Sequence, residues 1–235
     1  MNENGLRNYY VNCAKEYINV AEGTKRHTEI VNLYNGIKPL PMGYKLKTTD
    51  SWCAAFVSAM AAKCGLLDII PAECSCPRQI TLWQKMGRWM ENDAYTPKAG
   101  DIIYYDWQDD GKGDNKGTAD HVGIVCSVNG STITVIEGNT SDKVGYRNIA
   151  VNGKYIRGYG LPDYASKATK EENEMFKDIK DSQFKADIER SVKLELFKGY
   201  GDGTFHPKEA LTREMGAAIA CRIYDAVLKA VKEGK

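Results

Sequence analysis

The hydrophobic period changes near Gly100, and that change limits what the larger, N-terminal part of the chain can fold into. Before it, apolar residues recur at helical spacing. Leu6, Tyr9, Tyr10, Cys13, Ala14, Tyr17 and Ile18 predict a helix that stops at Gly23, and Ile30, Val31, Leu33 and Tyr34 a shorter one closed by Asn35-Gly36. After a loop with Pro39 and Pro41, a third helix is expected from Trp52 to Gly65, with Asp50 and Ser51 placed to cap it. Beyond Gly100, Ile102–Tyr105, His121–Cys126, Thr132–Glu137 and Lys154–Tyr159 read as strands between Gly/Asn/Asp turns. Helices followed by closely spaced strands make an α+β domain with helices packed on a mostly antiparallel sheet.

The segment Ser166-Lys-Ala-Thr-Lys-Glu-Glu-Asn-Glu174 is charged and lacks large apolar residues, the composition of a linker. A second unit follows: a helix carrying Ile188, Val192 and Leu196, the turn-rich Gly199-Tyr-Gly-Asp-Gly-Thr-Phe-His-Pro207, and a helix from Thr212 carrying Met215, Ala218, Ile219, Ile223 and Val227. The expected organisation is a first domain over 1–163, a linker over 164–175 and a small all-α helix–loop–helix module over 176–235. So short a module has little core of its own, and its stripes need a cover.

Thirty-two Lys+Arg against 31 Asp+Glu give a net charge of +1 and no case for a nucleic-acid partner. No stretch is long and apolar enough to span a bilayer, so no membrane partner is expected. The start, Met1-Asn-Glu-Asn-Gly-Leu-Arg, has no apolar signal core, so a chain beginning here is expected to be made in the cytoplasm. Seven cysteines at irregular spacing argue for reduced thiols rather than a disulfide framework. Cys74-Ser-Cys76 could hold a metal or a bridge, but no second pair stands at zinc-site spacing. Fourteen Tyr and four Trp suit sugar or peptide binding and equally suit core packing.

Cys53 stands at the predicted start of a helix, where partial positive charge and unpaired N–H groups favour thiolate over thiol and could hold an oxyanion. The other reading is a small buried hydrophobe like Cys64. A thiolate nucleophile needs a base, and the base an orienting group. Of the three histidines, His27, His121 and His206, it is His121 that opens a strand directly after a Gly/Asp-rich loop. The next strand ends Glu137-Gly-Asn139, which offers a carboxylate or an amide to the second ring nitrogen. The alternative for His121 is a satisfied polar residue at a hairpin.

Trp52-Cys-Ala-Ala-Phe-Val-Ser, Ala99-Gly-Asp-Ile-Ile, Asp120-His-Val-Gly-Ile-Val and Ile136-Glu-Gly-Asn, in that order, resemble the CHAP family of cysteine- and histidine-dependent amidohydrolases/peptidases, over roughly residues 5–162. The resemblance implies a reduced papain-like fold that hydrolyses peptidoglycan without a required cofactor. It implies Cys53 as nucleophile, His121 as base, Glu137 as orienting carboxylate and Asn139 as supporting amide. The loop Asp106–Asn115 echoes the opening of a calcium loop at Asp106, Gln108, Asp110 and Gly111, so Asp106 and Asp110 are candidate calcium ligands. Gln108 replaces an Asp there, and Gly117 stands where the closing Glu would be. Phe176-Lys-Asp-Ile, Gly199–Pro207 and Leu211-Thr-Arg-Glu-Met resemble an S-layer homology module, which implies binding of secondary cell-wall polymer, with Tyr200, Asp202, Phe205 and Arg213 as candidates. Such modules come in threes; here one is found, with Gln183 where an aromatic residue is common and Glu195 where Gly is. Self-association through this module, as a homotrimer, is therefore an alternative. Family and leaderless start together imply a phage or prophage endolysin that acts at the wall after release. A bacterial autolysin whose signal has been trimmed and a non-catalytic wall-binding protein are the rivals.

Overall fold

The computed structural model describes residues 1–168 and 176–232, and the chain divides into two compact units, Met1–Thr169 and Lys170–Lys235. In the first unit, helices α1 (Glu3–Lys15), α2 (Lys25–Asn35), α3 (Cys53–Lys63) and α4 (Cys76–Lys85) precede a sheet. Its six strands are β1 (Trp89–Met90), β2 (Ile102–Tyr105), β3 (His121–Asn129), β4 (Thr132–Glu137), β5 (Gly145–Ala150) and β6 (Ile156–Gly160). They lie in the order β1-β6-β2-β3-β4-β5, and every neighbouring pair is antiparallel. A short α5 (Tyr164–Lys167) follows.

Local chemistry sets the helix starts. The Asn2 side chain accepts the Gly5 N–H at 2.8 Å and the Thr24 hydroxyl accepts the His27 N–H at 3.2 Å, caps that contribute about 1 kcal/mol each. α1 and α2 bury one face each, whereas α3 is buried without a break from Cys53 to Ala61. A helix apolar all round belongs in a core, and alanines at 54, 55, 59 and 61 let α3 lie close against both α2 and β3. Phe56 and Met60 are fully buried on it, each contributing roughly 1.5–3 kcal/mol relative to exposure.

This is the α+β architecture implied by the change of period, with three elements that the sequence pattern does not reveal: α4, β1 and β5. α4 turns only Cys76, Gln79, Ile80 and Trp83 inward, too thin and too polar a stripe to stand out. β5 is an edge strand whose one fully buried residue is Gly145. The expected linker starts too early. Tyr164 is fully buried, donates its hydroxyl to the Gly100 carbonyl at 2.9 Å and lies under the Arg7 guanidinium, 4.6 Å away. Residues 169–175 lie outside the described part of the chain.

The second unit contains α6 (Lys185–Lys193) and α7 (Arg213–Lys232) around a small core of Phe176, Ile179 and Ile188, with Val192 and Phe205 packed on it. The Asp178 carboxylate accepts the Phe205 and His206 N–H groups at 2.8 and 2.7 Å, tying the start of the unit to its central loop. Glu195 follows α6 at φ 59°, the left-handed conformation in which helices usually place Gly. That accounts for the Gly that S-layer homology modules commonly have there. On α7, Met215, Ile223, Tyr224, Val227 and Val231 are exposed.

Candidate active site

Cys53 is the first residue of α3. The expected caps do not cap it: Trp52 is the N-cap residue and supplies no side-chain bond. Asp50 instead accepts the Lys47 N–H at 2.7 Å and the Tyr44 hydroxyl at 2.8 Å. No side chain caps the first turn, and its N–H groups face whatever charge forms at the sulfur. Trp52 pins this helix start: its Nε1 donates to Glu22 Oε2 at 3.0 Å and its ring packs on His27, 4.7 Å between centroids. His27 is thereby a core residue, buried, with Nδ1 accepting the Gly23 N–H at 3.2 Å.

His121 opens β3 opposite Tyr105 of β2. Its Nε2 lies 3.1 Å from Glu137 Oε2, at the end of β4. Two glycines make this meeting sterically feasible. A Cβ on Gly123 would stand 2.8 Å from Glu137 Cγ and 2.5 Å from Val135 Cγ1, so only Gly leaves room for the carboxylate beside β3. A Cβ on Gly138 would stand 2.5 Å from Phe56 Cβ, so Gly here lets α3 lie against the end of β4. Since Glu137 occupies Nε2, Nδ1 is the nitrogen left for Cys53, and the sulfur and the ring influence each other's charge.

The charges reinforce one another. Cys53 is held well below the ordinary thiol value by hydrogen bonding from the neighbouring Cys76 thiol and, against burial, by His121 and the Ala54 N–H. Burial alone would lower His121, but hydrogen bonds and charge from Cys53 and Glu137 raise it to about 9. Burial pushes Glu137 up, and hydrogen bonds from His121 and Arg147 more than offset it, holding the carboxyl below its ordinary value. A thiolate–imidazolium pair backed by a carboxylate is the arrangement these shifts describe.

Arg147 is the participant that the sequence reading lacks. Its Nε donates to Glu137 Oε1 at 2.6 Å, and its guanidinium lies 5.0 Å from the Trp107 ring centre. It reaches Glu137 diagonally across the β4–β5 ladder, in which Glu137 pairs with Gly145. Without β5 and its register, nothing marks Arg147. Asn139, at φ 57°, lines a cavity of about 350 Å³ with Trp107, His121, Thr140, Ser141 and Arg147; the partner of the His121 ring is Glu137.

Asp106 and Asp110, the candidate calcium ligands, each accept an N–H within their own loop. Asp106 Oδ1 accepts the Gln108 N–H and Asp110 Oδ1 the Lys112 N–H, both at 2.9 Å. Cys74 and Cys76 part company: Cys74 lies against Glu73, and Cys76 faces Cys53 at 3.8 Å.

In the second unit, Tyr200 and Phe205 line a largely apolar cavity of about 460 Å³ together with His206, Met215, Ile219 and Arg222. Asp202 instead serves the loop, accepting the Thr204 N–H and hydroxyl at 3.1 and 2.6 Å. Arg213 is exposed at the start of α7.

A thiol at a helix start, an imidazole opening the facing strand and a carboxylate behind it sit on a papain-like scaffold of helices and an antiparallel sheet. Among known families, the CHAP domain matches residues 43–139 and the S-layer homology domain matches residues 176–214. The chain thus carries a CHAP domain and, C-terminal to it, an S-layer homology domain, and the CHAP match spans Cys53, His121, Glu137 and Asn139. No curated protein matches the chain. Solved structures similar to it include two of one protein. The crystal structure of Ly7917 is 17% identical, with a match covering 60% of this chain and 63% of that one at a TM-score of 0.35. The crystal structure of Ly7917 with the hydrolyzing product of MDP is also 17% identical, covering 58% and 62% at a TM-score of 0.31. The matched part is thus less than two thirds of either of those chains. No helix among the described residues is long and apolar enough to cross a membrane.

Proposed function

We propose that the first unit hydrolyses amide bonds of peptidoglycan by covalent thiolate catalysis, and that the second holds it at the wall through secondary cell-wall polymer. The observation that carries the first statement is the continuous chain Cys53–His121–Glu137–Arg147 within a CHAP domain. Cys53 Sγ attacks the scissile carbonyl, and the uncapped N–H groups of α3 stabilise the oxyanion. His121 Nδ1 gives its proton to the leaving amine, then takes one from the water that opens the thioester. Glu137, braced by Arg147, keeps the ring in place and charged. Mass spectrometry of digested wall fragments tests the proposal: new amino termini on alanine define a muramoyl–alanine amidase, and termini inside the stem or bridge define an endopeptidase. Walls left without new termini would overturn it.

The charge state predicts the alkaline limit. The imidazolium that protonates the leaving group exists below the His121 pKa, raised to about 9, so hydrolysis should fall as pH rises through about 9. Glu137→Gln removes a charge that raises His121. The alkaline limb should then move to lower pH, with a rate loss on the order of a hundredfold. An unmoved limb would mean that Glu137 does not set the ring's charge.

We propose further that the chain is an endolysin made in a reducing compartment and released to the wall, in keeping with the irregular spacing of its seven cysteines. For the second unit we propose self-association, as a trimer, through the exposed face of α7. Light scattering on the full-length protein should give the trimer mass. Ile223→Glu with Val227→Glu, at positions 46% and 56% exposed, should return it to monomer. A wild-type monomer throughout the micromolar range would refute the association.

A further inference from the structure

Cys53 has a second thiol beside it that hydrolysis does not use. Cys76 Sγ lies 3.8 Å from Cys53 Sγ. The two occupy equivalent places: Cys53 opens α3 and Cys76 opens α4, and neither helix start is capped by a side chain. The other cysteines lie elsewhere. Cys13 and Cys64 neighbour each other, Cys74 meets Glu73 and Tyr34, Cys126 is on β3 and Cys221 on α7. An attacking thiol and its carbonyl need only the imidazole, the carboxylate and the oxyanion donors. A buried thiol in van der Waals contact with a nucleophilic sulfur is a different device.

We propose that Cys76 is the resolving thiol of a reversible oxidation site, in which a peroxide converts the Cys53 thiolate into a Cys53–Cys76 disulfide and switches hydrolysis off. The Cys53 sulfur attacks one peroxide oxygen; the S–O bond forms as the O–O bond breaks, and the departing hydroxide takes a proton to become water. Cys53 is then a sulfenic acid. The Cys76 sulfur attacks that sulfur, the S–S bond forms as the S–O bond breaks, and the second hydroxide leaves as water with the Cys76 proton. Two thiols are oxidised and one peroxide is reduced to two waters. A disulfide needs its sulfurs about 2.0 Å apart, so the present gap closes by side-chain movement of roughly 2 Å.

The order of events follows from the site. Cys53 is the low-pKa thiol and reacts first. Cys76 is held well above the ordinary thiol value, first by its hydrogen bond to Cys53 and then by burial, so it waits protonated. Once Cys53 is a neutral sulfenic acid, the charge that held Cys76 protonated is gone and Cys76 can act as nucleophile. Without a resolving thiol, a sulfenic acid at Cys53 would stay open to further, irreversible oxidation.

The test uses the reduced full-length protein treated with hydrogen peroxide. The expected intact mass is lower by two hydrogen atoms, and fragmentation spectra of proteolytic peptides join Cys53 to Cys76. Wall lysis falls to background and returns with dithiothreitol. In Cys76→Ser, lysis falls in the same way relative to its own untreated rate, Cys53 is found as sulfinic acid, and dithiothreitol restores little. The proposal is overturned if wild-type Cys53 becomes sulfinic acid without the link, if it stays unmodified while Cys221 is oxidised, or if Cys76→Ser recovers like wild type. Loss of lysis rests on the hydrolase reading, but the peptide map does not, so the two can fail separately. Should Cys76→Ser not fold, the wild-type map alone decides.

Discussion

Replacing Cys53 with alanine is expected to abolish hydrolysis of purified walls, a loss of roughly a millionfold in kcat, with the fold intact. The nucleophile is the one part of a covalent mechanism that nothing else supplies: His121 holds a proton and Glu137 holds His121, but neither can form the thioester. The fold does not depend on the sulfur. Cys53 is the first residue of α3, and the burial of that helix rests on Phe56, Met60 and the alanines around them. Alanine is also the best helix former. Cys53→Ser should be nearly as damaging, because an environment that ionises a thiol falls far short of ionising a hydroxyl. Turbidity of a wall suspension measures the loss and a thermal melt checks the fold. In wild type, iodoacetamide should alkylate Cys53 faster than Cys64, whose thiol burial pushes up. Lysis that survives both substitutions, or slower labelling of Cys53, would remove it from the role of nucleophile.

The parts of this site that were legible in the sequence are those signalled by position along one element. Local pattern offers Cys53 at a helix start, His121 at a strand start and Glu137 at the end of the next strand, each with a structural alternative, and the resemblance to the CHAP family selects them. Arg147 and Cys76 were not legible, because each arrives through a pairing that no local pattern reports. Arg147 depends on the register of an edge strand, and Cys76 on where α4 docks. The capping reading failed for a related reason. Asp50 and Ser51 are of the right residue types at nearly the right place, but Asp50 is engaged by Lys47 and Tyr44 within its own loop. The calcium reading rests on a short motif alone. Asp106 and Asp110 have the spacing, yet each closes a turn with the residue two positions on, a competing use that carboxylates in tight loops often find.

His121→Ala should cost as much as Cys53→Ala, within about tenfold, and the double variant should be no worse than either. Independent contributions of roughly a millionfold each would multiply to about 10¹². Two groups that act only as a pair cannot lose the same function twice, so the double variant should stay near 10⁶. The structure makes the pair indivisible in this way: each charge exists because of the other, Cys53 lowered in part by His121 and His121 raised in part by Cys53. Removing the ring takes away the sulfur's charged partner and its proton acceptor, leaving only Cys76 and the Ala54 N–H to lower it, and removing the sulfur leaves an imidazole with nothing to activate. The fold should survive in both, since Glu137 keeps its 2.6 Å bond to Arg147 when the ring is gone. That surviving ion pair also separates this prediction from one about stability. His121→Ala should melt as a folded protein while its lysis is at background, and its Cys53 should lose the fast alkylation of the wild type. A His121→Ala variant that still labels rapidly at Cys53 would show that Cys76 and the helix start, and not the imidazole, make the thiolate.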